Sequence, residues 1–565
     1  MRTLKKIVLL FLFAVWGCAV QAPPSGGPVD RIPPEITGTD PMPGTLHVPT
    51  SFKRLKIVFS ERMKESTARN NLFISPPLKF QTKWKKGRIL IIDFEEALKD
   101  SQTYVLSVGS GLQDMHNNKM ARSFTLAFST GDTIDQGKIT GTIYGLKRGE
   151  TFYVFAYLLG DSTRFNPFKN KPDYVTLNGE KGDFTLGYLK NGTYRVIAVE
   201  DRNHNLRLDG LMERFALSFR DVTLYDSLNH FDGLDMQLAT LDTLPPTLTG
   251  ARALLRNLLV VRFSEPLLLD RLTNFEITDS LGGQKLPIVD MAPSPKKKNW
   301  LEMITAPMDS NRLYRVRCIN LIDSAGNRNS DTLTTYFVAS SKTDTSTFRL
   351  IKHLPTDSAK KVAPRTAITL EFNQPVNWRK VEKAYRLQRD SRHTIDGSWQ
   401  VKNLYRAYFY PSKVLHPDSG YYSVVNLKAI KSYFGKTSAD SVSRHFFTII
   451  SQKELGEISG NIRVRYPLQN PVVLNVRRIS GKRFRVRQTI KKGKHTFKFD
   501  YLPQGSYRLD GFLDLNQNNR FDHGTILPFR FCEPFRYLPD TIKVRKRWET
   551  SGVLFTLPQP MESGK

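Results

Sequence analysis

Apolar and polar residues alternate in short runs along most of this chain. Tyr314-Arg-Val-Arg-Cys-Ile319 sends Tyr314, Val316 and Cys318 one way and two arginines the other. Lys482-Arg-Phe-Arg-Val-Arg487 places Arg483, Arg485 and Arg487 on one side and Phe484 and Val486 on the other. A period of two belongs to a half-buried strand. Clusters of turn residues interrupt these runs roughly every 8–12 residues, the spacing a β-sandwich needs. At 565 residues the chain is too long for one core and must form several domains. The expectation is an all-β chain of tandem β-sandwich domains.

Two kinds of internal repeat divide it. Pro33-Pro34-Glu-Ile-Thr-Gly38 recurs as Pro245-Pro246-Thr-Leu-Thr-Gly250. Each opening leads to an apolar strand with a short signature: Ile57-Val-Phe-Ser-Glu61, then Val261-Arg-Phe-Ser-Glu-Pro266, with a third copy at Leu370-Glu-Phe-Asn-Gln-Pro375. A strand bearing Tyr104, Tyr314 or Tyr421 follows in each. The first two copies then have the turns Asp114-Met-His-Asn-Asn118 and Asp323-Ser-Ala-Gly-Asn327, and all three close on an aromatic strand, such as Ala127-Phe-Ser-Thr130. These units resemble the bacterial Ig-like domain of S-layer and cell-surface proteins. The third is the weakest match, lacking the double proline and the Ser-Glu pair. Glu61 and Glu265 recur with the strand signature, which points to a role in the fold.

The second repeat is a constant offset of 313 residues. Phe184, Tyr188, Leu189, Gly192, Tyr194, Arg195, Asp201, Asn203, Asn205, Arg207 and Asp209 return as Phe497, Tyr501, Leu502, Gly505, Tyr507, Arg508, Asp514, Asn516, Asn518, Arg520 and Asp522. Eleven ungapped identities are not chance. Leu189-Lys-Asn-Gly-Thr-Tyr194 and Leu502-Pro-Gln-Gly-Ser-Tyr507 resemble the hallmark turn of transthyretin-like domains that accompany carboxypeptidases. No catalytic domain of that kind accompanies either copy. The order is Ig-like 33–132, transthyretin-like 136–240, Ig-like 243–340, Ig-like 347–451 and transthyretin-like 456–558, with short polar breaks that imply close coupling.

Ahead of these, Met1–Lys6 is basic, Ile7–Trp16 is apolar, and Gly17 precedes Cys18. That is a secretory signal over 1–17, too short to span a ~30 Å bilayer core. Val15-Trp16-Gly17-Cys18 resembles the lipobox of bacterial lipoproteins, which implies acylation of Cys18. Residues 18–32, rich in Pro and Gly, read as a lipidated tether. With only Cys318 and Cys532 besides, disulfides do not hold the chain together, and each thiol reads as a small buried apolar group.

Charge and loop chemistry add two candidate sites. Asp201, Asn203, Asn205 and Asp209, and likewise Asp514, Asn516, Asn518 and Asp522, carry side-chain oxygens at positions 1, 3, 5 and 9 of a loop. Such loops suit calcium, the one cofactor the sequence suggests beyond the lipid. The same residues equally satisfy their own backbone in Asx-turns. The formal charge of +31 is uneven, and no acidic residue lies between Glu457 and Asp500. The face formed by Arg483, Arg485 and Arg487 suits acidic lipid, lipopolysaccharide or an acidic partner, or serves solubility alone. An exported chain has little access to intracellular nucleic acid, so nucleic acid is not expected as a partner.

The sequence lacks His-Glu-x-x-His, Gly-x-Ser-x-Gly, a phosphate loop and Cys-x-x-Cys, so the reading is non-catalytic. Pro24-Ser-Gly-Gly-Pro28 and the adjoining double proline resemble the mature start of Ig-like lipoproteins of Bacteroidota. That resemblance implies an outer-membrane lipid anchor, on either face. It leaves two roles: a scaffold or accessory subunit beside an outer-membrane protein partner in an assembly or export complex, and a surface adhesin or glycan-binding protein.

Overall fold

The computed structural model describes residues 30–160, 165–209, 213–240, 242, 244–389, 393–480 and 484–560. The lipobox, Cys18 and Arg483 lie outside them. The described residues fall into two compact units. One runs to Arg207 and resumes over Asp221–Leu234; the other comprises Leu208–Arg220 and Asp235 onward.

In the first unit, Ile36–Asp40, Arg54–Phe59, Ile89–Phe94 and Phe80–Lys85 form an antiparallel sheet in that spatial order. Leu72–Ser75, Thr103–Val108 and Phe124–Ser129 form a second antiparallel sheet. Leu55, Ile57 and Phe59 are buried in a common core with Leu90, Ile92, Tyr104 and Leu106, while Arg54 and Lys56 between them face water. Each such buried side chain is worth about 1.5–3 kcal/mol against exposure. That alternation is what fixes the strand register.

The second unit contains this arrangement twice. Leu248–Leu255, Leu258–Phe263, Trp300–Thr305 and Ile288–Pro293 form one sheet, and Asn274–Asp279, Leu313–Ile319 and Leu333–Val338 form another. Further along, Leu350–Leu354, Ile368–Phe372, Arg406–Pro411 and Gly397–Val401 form a sheet beside Ala359–Val362, Val442–Ile449, Gly420–Asn426 and Tyr385–Gln388. This last module differs in two ways. Ala359–Val362 pairs in parallel with Val442–Ile449, and a helix of about two turns, Trp378–Ala384, interrupts the strands. Asn377 caps the helix by accepting the Lys380 amide, and Trp378 and Val381 are buried.

One tyrosine anchors each module. The Tyr104 hydroxyl accepts the Lys99 amide at 2.7 Å, Tyr314 that of Asp309 at 3.2 Å, and Tyr421 that of His416 at 2.9 Å. Their rings stack on Phe128, Phe337 and Phe447, with centroids 5.7, 5.7 and 6.0 Å apart.

The 313-residue repeat forms a second kind of two-sheet module. In the later copy, Arg485–Ile490, Val472–Arg478, Gly505–Leu513 and Phe535–Tyr537 lie side by side, and Thr496–Pro503, Leu455–Arg463 and Glu549–Thr556 make the other sheet. Its last strand runs parallel to Leu455–Arg463. In the earlier copy His230–Phe231 runs parallel to Gly137–Tyr144 in the same way. The repeat extends to backbone geometry: left-handed φ values of 58°, 59° and 58° at Tyr188, His204 and Leu206 return as 60°, 59° and 58° at Tyr501, Gln517 and Asn519. Tyr194 and Tyr507 donate to the carbonyls of Lys190 and Pro503 at 2.8 and 2.6 Å.

Neighbouring modules are packed, not merely strung. In the first unit, Phe73 meets Tyr153 edge-on at 5.3 Å, and the Tyr153 hydroxyl donates to the Asn70 carbonyl at 3.1 Å. A Cβ on Gly109 would stand 2.2 Å from Leu177 Cδ1, so the two modules approach so closely there that any other residue would push the Leu177 side chain aside. In the second unit Leu258, Ala292, Ile304 and Leu404 form a buried cluster between consecutive modules. Tyr433 donates to Asp290 at 2.5 Å across that seam, and Asn257 donates to the Tyr433 carbonyl at 3.3 Å.

Another seam joins residues about three hundred positions apart within the second unit. Cys532 Sγ lies 3.1 Å from the Leu217 carbonyl, Arg536 pairs with Asp235 at 2.8 Å, and Tyr537 donates to Gln237 at 3.0 Å. Cys318 and Cys532 are both buried free thiols; burial pushes Cys318 up to about 12.

Tyr421→Phe keeps the stack and removes the acceptor of the His416 amide. Thermal or urea unfolding should show a loss of about 1–2 kcal/mol, against 3–5 kcal/mol for Tyr421→Ala. Equal losses for both would show that the hydroxyl does not hold the turn.

Candidate cation sites

The strand Arg54–Phe59 delivers Glu61 to one end of the first sandwich, and the turn at 114–118 delivers Asp114 to the same end. Asp114 is fully buried. Its Oδ1 accepts the amides of His116 and Asn118, each at 2.8 Å, and its Oδ2 accepts Asn118 Nδ2 at 2.8 Å. Asn118 Nδ2 also donates to the Asp30 carbonyl at 3.2 Å, which brings the entering chain to the turn. Ligand atoms of Asp30, Glu61, Asp114 and His116 thus all lie within 4.8 Å of one another.

The next Ig-like module rebuilds this arrangement with different loop residues. Asp323 Oδ1 accepts the amides of Gly326 and Asn327 at 2.7 and 2.9 Å, and Oδ2 accepts Asn327 Nδ2 at 2.8 Å. Asn327 Nδ2 reaches the Asp242 carbonyl at 2.8 Å, and Asp242, Glu265 and Asp323 converge within 4.8 Å. Burial, together with the charges of Asp242 and Asp323, pushes the Glu265 carboxyl up to about 7. Glu61 is raised for the same reasons, burial first and then Asp114 and Asp30. Carboxylates held this close repel one another, and a hard divalent cation such as calcium or magnesium would relieve that repulsion through oxygen ligands.

The third module keeps the acid of the entering chain, Asp344, 3.3 Å from Gln374 Nε2, and has lost the other two. Gln374 and Ser432 stand where the first two have glutamate and aspartate, and Gln374 Nε2 donates to the Ser346 carbonyl at 2.9 Å. Lys436 occupies the position of the capping asparagine, and its Nζ donates to the same carbonyl at 2.6 Å. A fixed ammonium stands at the end of the sandwich where the other modules gather negative charge.

The Asp/Asn loops use much of their oxygen on their own backbone. Asp201 accepts the amides of Asn205 and Leu206 at 3.1 and 2.9 Å; Asp514 accepts those of Asn518 and Asn519 at 3.0 and 2.9 Å. Asn203 and Asn516 accept the amides of Asn205 and Asn518, while Asn205 and Asn518 accept those of Arg207 and Arg520. Asp209 and Asp522 donate their amides to Glu213 and Glu533 at 2.8 and 3.0 Å. Burial raises the Glu533 carboxyl to about 7. Arg485 and Arg487 do not simply face water: Arg485 Nη2 and Arg487 Nε both donate to Asn475 Oδ1, each at 2.9 Å.

The recurrence of Glu61 and Glu265 was visible in the sequence, as were the Asp-led turns. What sequence reasoning missed is that they meet, because Asp30, Glu61 and Asp114 are far apart along the chain and only the sandwich brings them to one end.

A family model described as bacterial Ig-like domain matches residues 30–130 and 344–448. The second stretch is the module whose motifs depart furthest from the pattern. No curated protein matches the chain. Among solved structures, the N-terminal part of the bacterial S-layer protein SbsC is 16% identical over 36% of this chain and 44% of that one, with a TM-score of 0.16. Domains 1–6 of SbsC are 9% identical, covering 92% and 68%, with a TM-score of 0.15. The native conformation of E. coli alpha-2-macroglobulin is 9% identical, covering 89% and 42%, with a TM-score of 0.14. This chain therefore spans less than half the length of the first of these, and such scores carry no argument about function.

Because the folded Glu265 titrates near 7 against an ordinary 4.5, the fold retains a proton that the unfolded chain has released. Stability present at low pH is therefore lost as pH rises through that window. In EDTA the melting temperature should fall between about pH 5 and about pH 8, and Glu61→Gln/Glu265→Gln should flatten that fall. Calcium at about pH 8 should raise the wild-type midpoint by roughly 2–4 °C and leave the double variant unmoved. An equal calcium response in both proteins would remove these clusters as cation sites.

Proposed function

We propose that this chain is a non-catalytic structural protein, anchored to the outer membrane through an acylated Cys18, that serves as a scaffold or accessory subunit of an assembly or export complex. The observation that carries the reading is the packing between consecutive modules. Loosely tethered domains move independently by default. Here the Leu258–Leu404 cluster, the Tyr433–Asp290 bond and the Gly109–Leu177 approach lock neighbours together. Rigid coupling suits a part that holds other proteins at a fixed spacing. The Leu-x-x-Gly-x-Tyr turns at 189–194 and 502–507 support reading the second kind of module as transthyretin-like, a fold used elsewhere as a non-catalytic accessory. The carboxylates that gather at module ends are tied to their own turns, an arrangement suited to holding a sandwich end in place.

The full-length chain, tagged and extracted from its own membranes in mild detergent, should copurify with an integral outer-membrane protein in fixed ratio. Leu404→Ala/Tyr433→Phe, which loosens one seam, should lower that yield severalfold while [3H]palmitate labelling of Cys18 is retained. A wild-type protein that comes out alone would end the subunit reading and turn attention to glycan and surface adhesion. Failure of Cys18→Ser to abolish palmitate labelling would remove the anchor.

A further inference from the structure

Four arginines and a ring of aromatics line a cavity of about 200 Å3 in the second unit. Val472–Arg478 contributes Asn475 and Arg477, and Arg485–Ile490 beside it contributes Arg485 and Arg487. Arg536 and Tyr537 come from the strand Phe535–Tyr537, and Gln237 from the distant segment sealed against it. Phe512, Phe521 and Phe535 complete the wall.

The charges within this cavity are unequally matched. Arg477 donates from Nε and Nη2 to Asp510, at 3.0 and 2.8 Å, and Arg536 pairs with Asp235. Asp510 spends its other oxygen on Asn475 Nδ2 at 2.9 Å. Arg485 and Arg487 have only neutral acceptors. Both converge on the single Asn475 Oδ1, and Arg487 Nη1 adds the Asn519 carbonyl at 2.9 Å. Two guanidiniums are thus brought together on one buried amide oxygen, with no carboxylate bonded to either among the described residues. Burial and the charge of Arg485 together lower the pKa of Arg487, a second sign that the pair is held against its own repulsion. His523, which lines the same cavity, has a buried Nδ1 without a hydrogen-bond partner.

We infer that this cavity is a phosphate-binding site, in which Arg485 and Arg487 grip the anion and Asn475 holds them in register. Paired guanidinium forks match the oxygens of a phosphate, and a charge-assisted bond is about twice as strong as a neutral one. The volume lies below the roughly 300 Å3 at which sites for larger organic ligands begin. The cavity therefore takes the phosphate with at most a small substituent. That group reaches the site either on a soluble phosphomonoester or on an anionic lipid headgroup. The scaffold reading is independent of it.

Inorganic phosphate is titrated into the full chain in nonionic detergent at fixed ionic strength, with binding read from 31P line broadening. Arg485→Gln/Arg487→Gln should weaken binding about tenfold or more. Arg465→Gln, an exposed arginine of the same module outside the cavity, should bind as wild type. Arg485→Lys keeps the charge without the fork and should fall between, which keeps the test valid should the double variant fold poorly. Equal binding by wild type and the double variant, or equal weakening in Arg465→Gln, would overturn the site in favour of diffuse attraction by the basic surface. Cosedimentation with phosphatidylglycerol vesicles, against phosphatidylcholine alone, separates the sources when each variant also carries Cys18→Ser, so that no acyl chain binds the vesicle. Sedimentation that depends on Arg485 and Arg487 places the phosphate on a lipid, and sedimentation that ignores them, beside lost 31P broadening, places it on a soluble ligand.

Discussion

Burying a phenol favours a hydrogen-bond partner for its hydroxyl, and one core tyrosine in each described module finds that partner in a repeated way. In the Ig-like modules the tyrosine hydroxyl accepts an amide five residues upstream. In the repeat pair it donates to a carbonyl four residues upstream. The bond is local, so each strand carries its own tie to the turn that leads into it. The ring meanwhile fills the middle of the sandwich, where in the Ig-like modules it stacks on a phenylalanine of the neighbouring strand. One residue per module thereby ties turn position to core packing, on strands whose register the alternation of buried and exposed residues sets. Everything built at the module ends, including the carboxylate clusters, inherits its position from that registration.

Most of the fold was legible in the sequence because strands announce themselves by period. Leu55, Ile57 and Phe59 alternate with Arg54 and Lys56, and the sandwich buries the one set and exposes the other. The 313-residue offset was legible as identities and proved deeper than that, since Leu206 and Asn519 share a left-handed backbone although their side chains differ. The helix at Trp378–Ala384 was not legible; seven residues are too few to establish a helical period.

The candidate sites were only half visible, for a geometrical reason. Side chains that converge from one strand leave an alternation to be read, as Arg485 and Arg487 do. What they converge on, Asn475, lies on a neighbouring strand whose pairing no single sequence displays. The carboxylate clusters behave in the same way: Glu61 and Asp114 each sit in a recognisable motif, and their proximity is a property of the closed sandwich. The third module shows what such a meeting point demands. Where two of the acids are replaced by Gln374 and Ser432, the asparagine is replaced by Lys436, while Asp344 of the entering chain stays beside Gln374.

The seam between Leu217, Asp235 and Gln237 and the strand ending at Tyr537 bears on the order in which the chain is built. Synthesis proceeds from the N-terminus, so residues 208–220 and 235–240 emerge about three hundred positions before their partners. The intervening Ig-like modules build their sheets from strands of their own and can close as they are delivered. The early half of the seam cannot. It waits with Leu217 and Asp235 uncovered until the last module arrives, a contact of very long sequence separation and correspondingly slow closure. During that interval the nascent chain carries an unfinished face in its midst, and this face is where a chaperone would have most to protect.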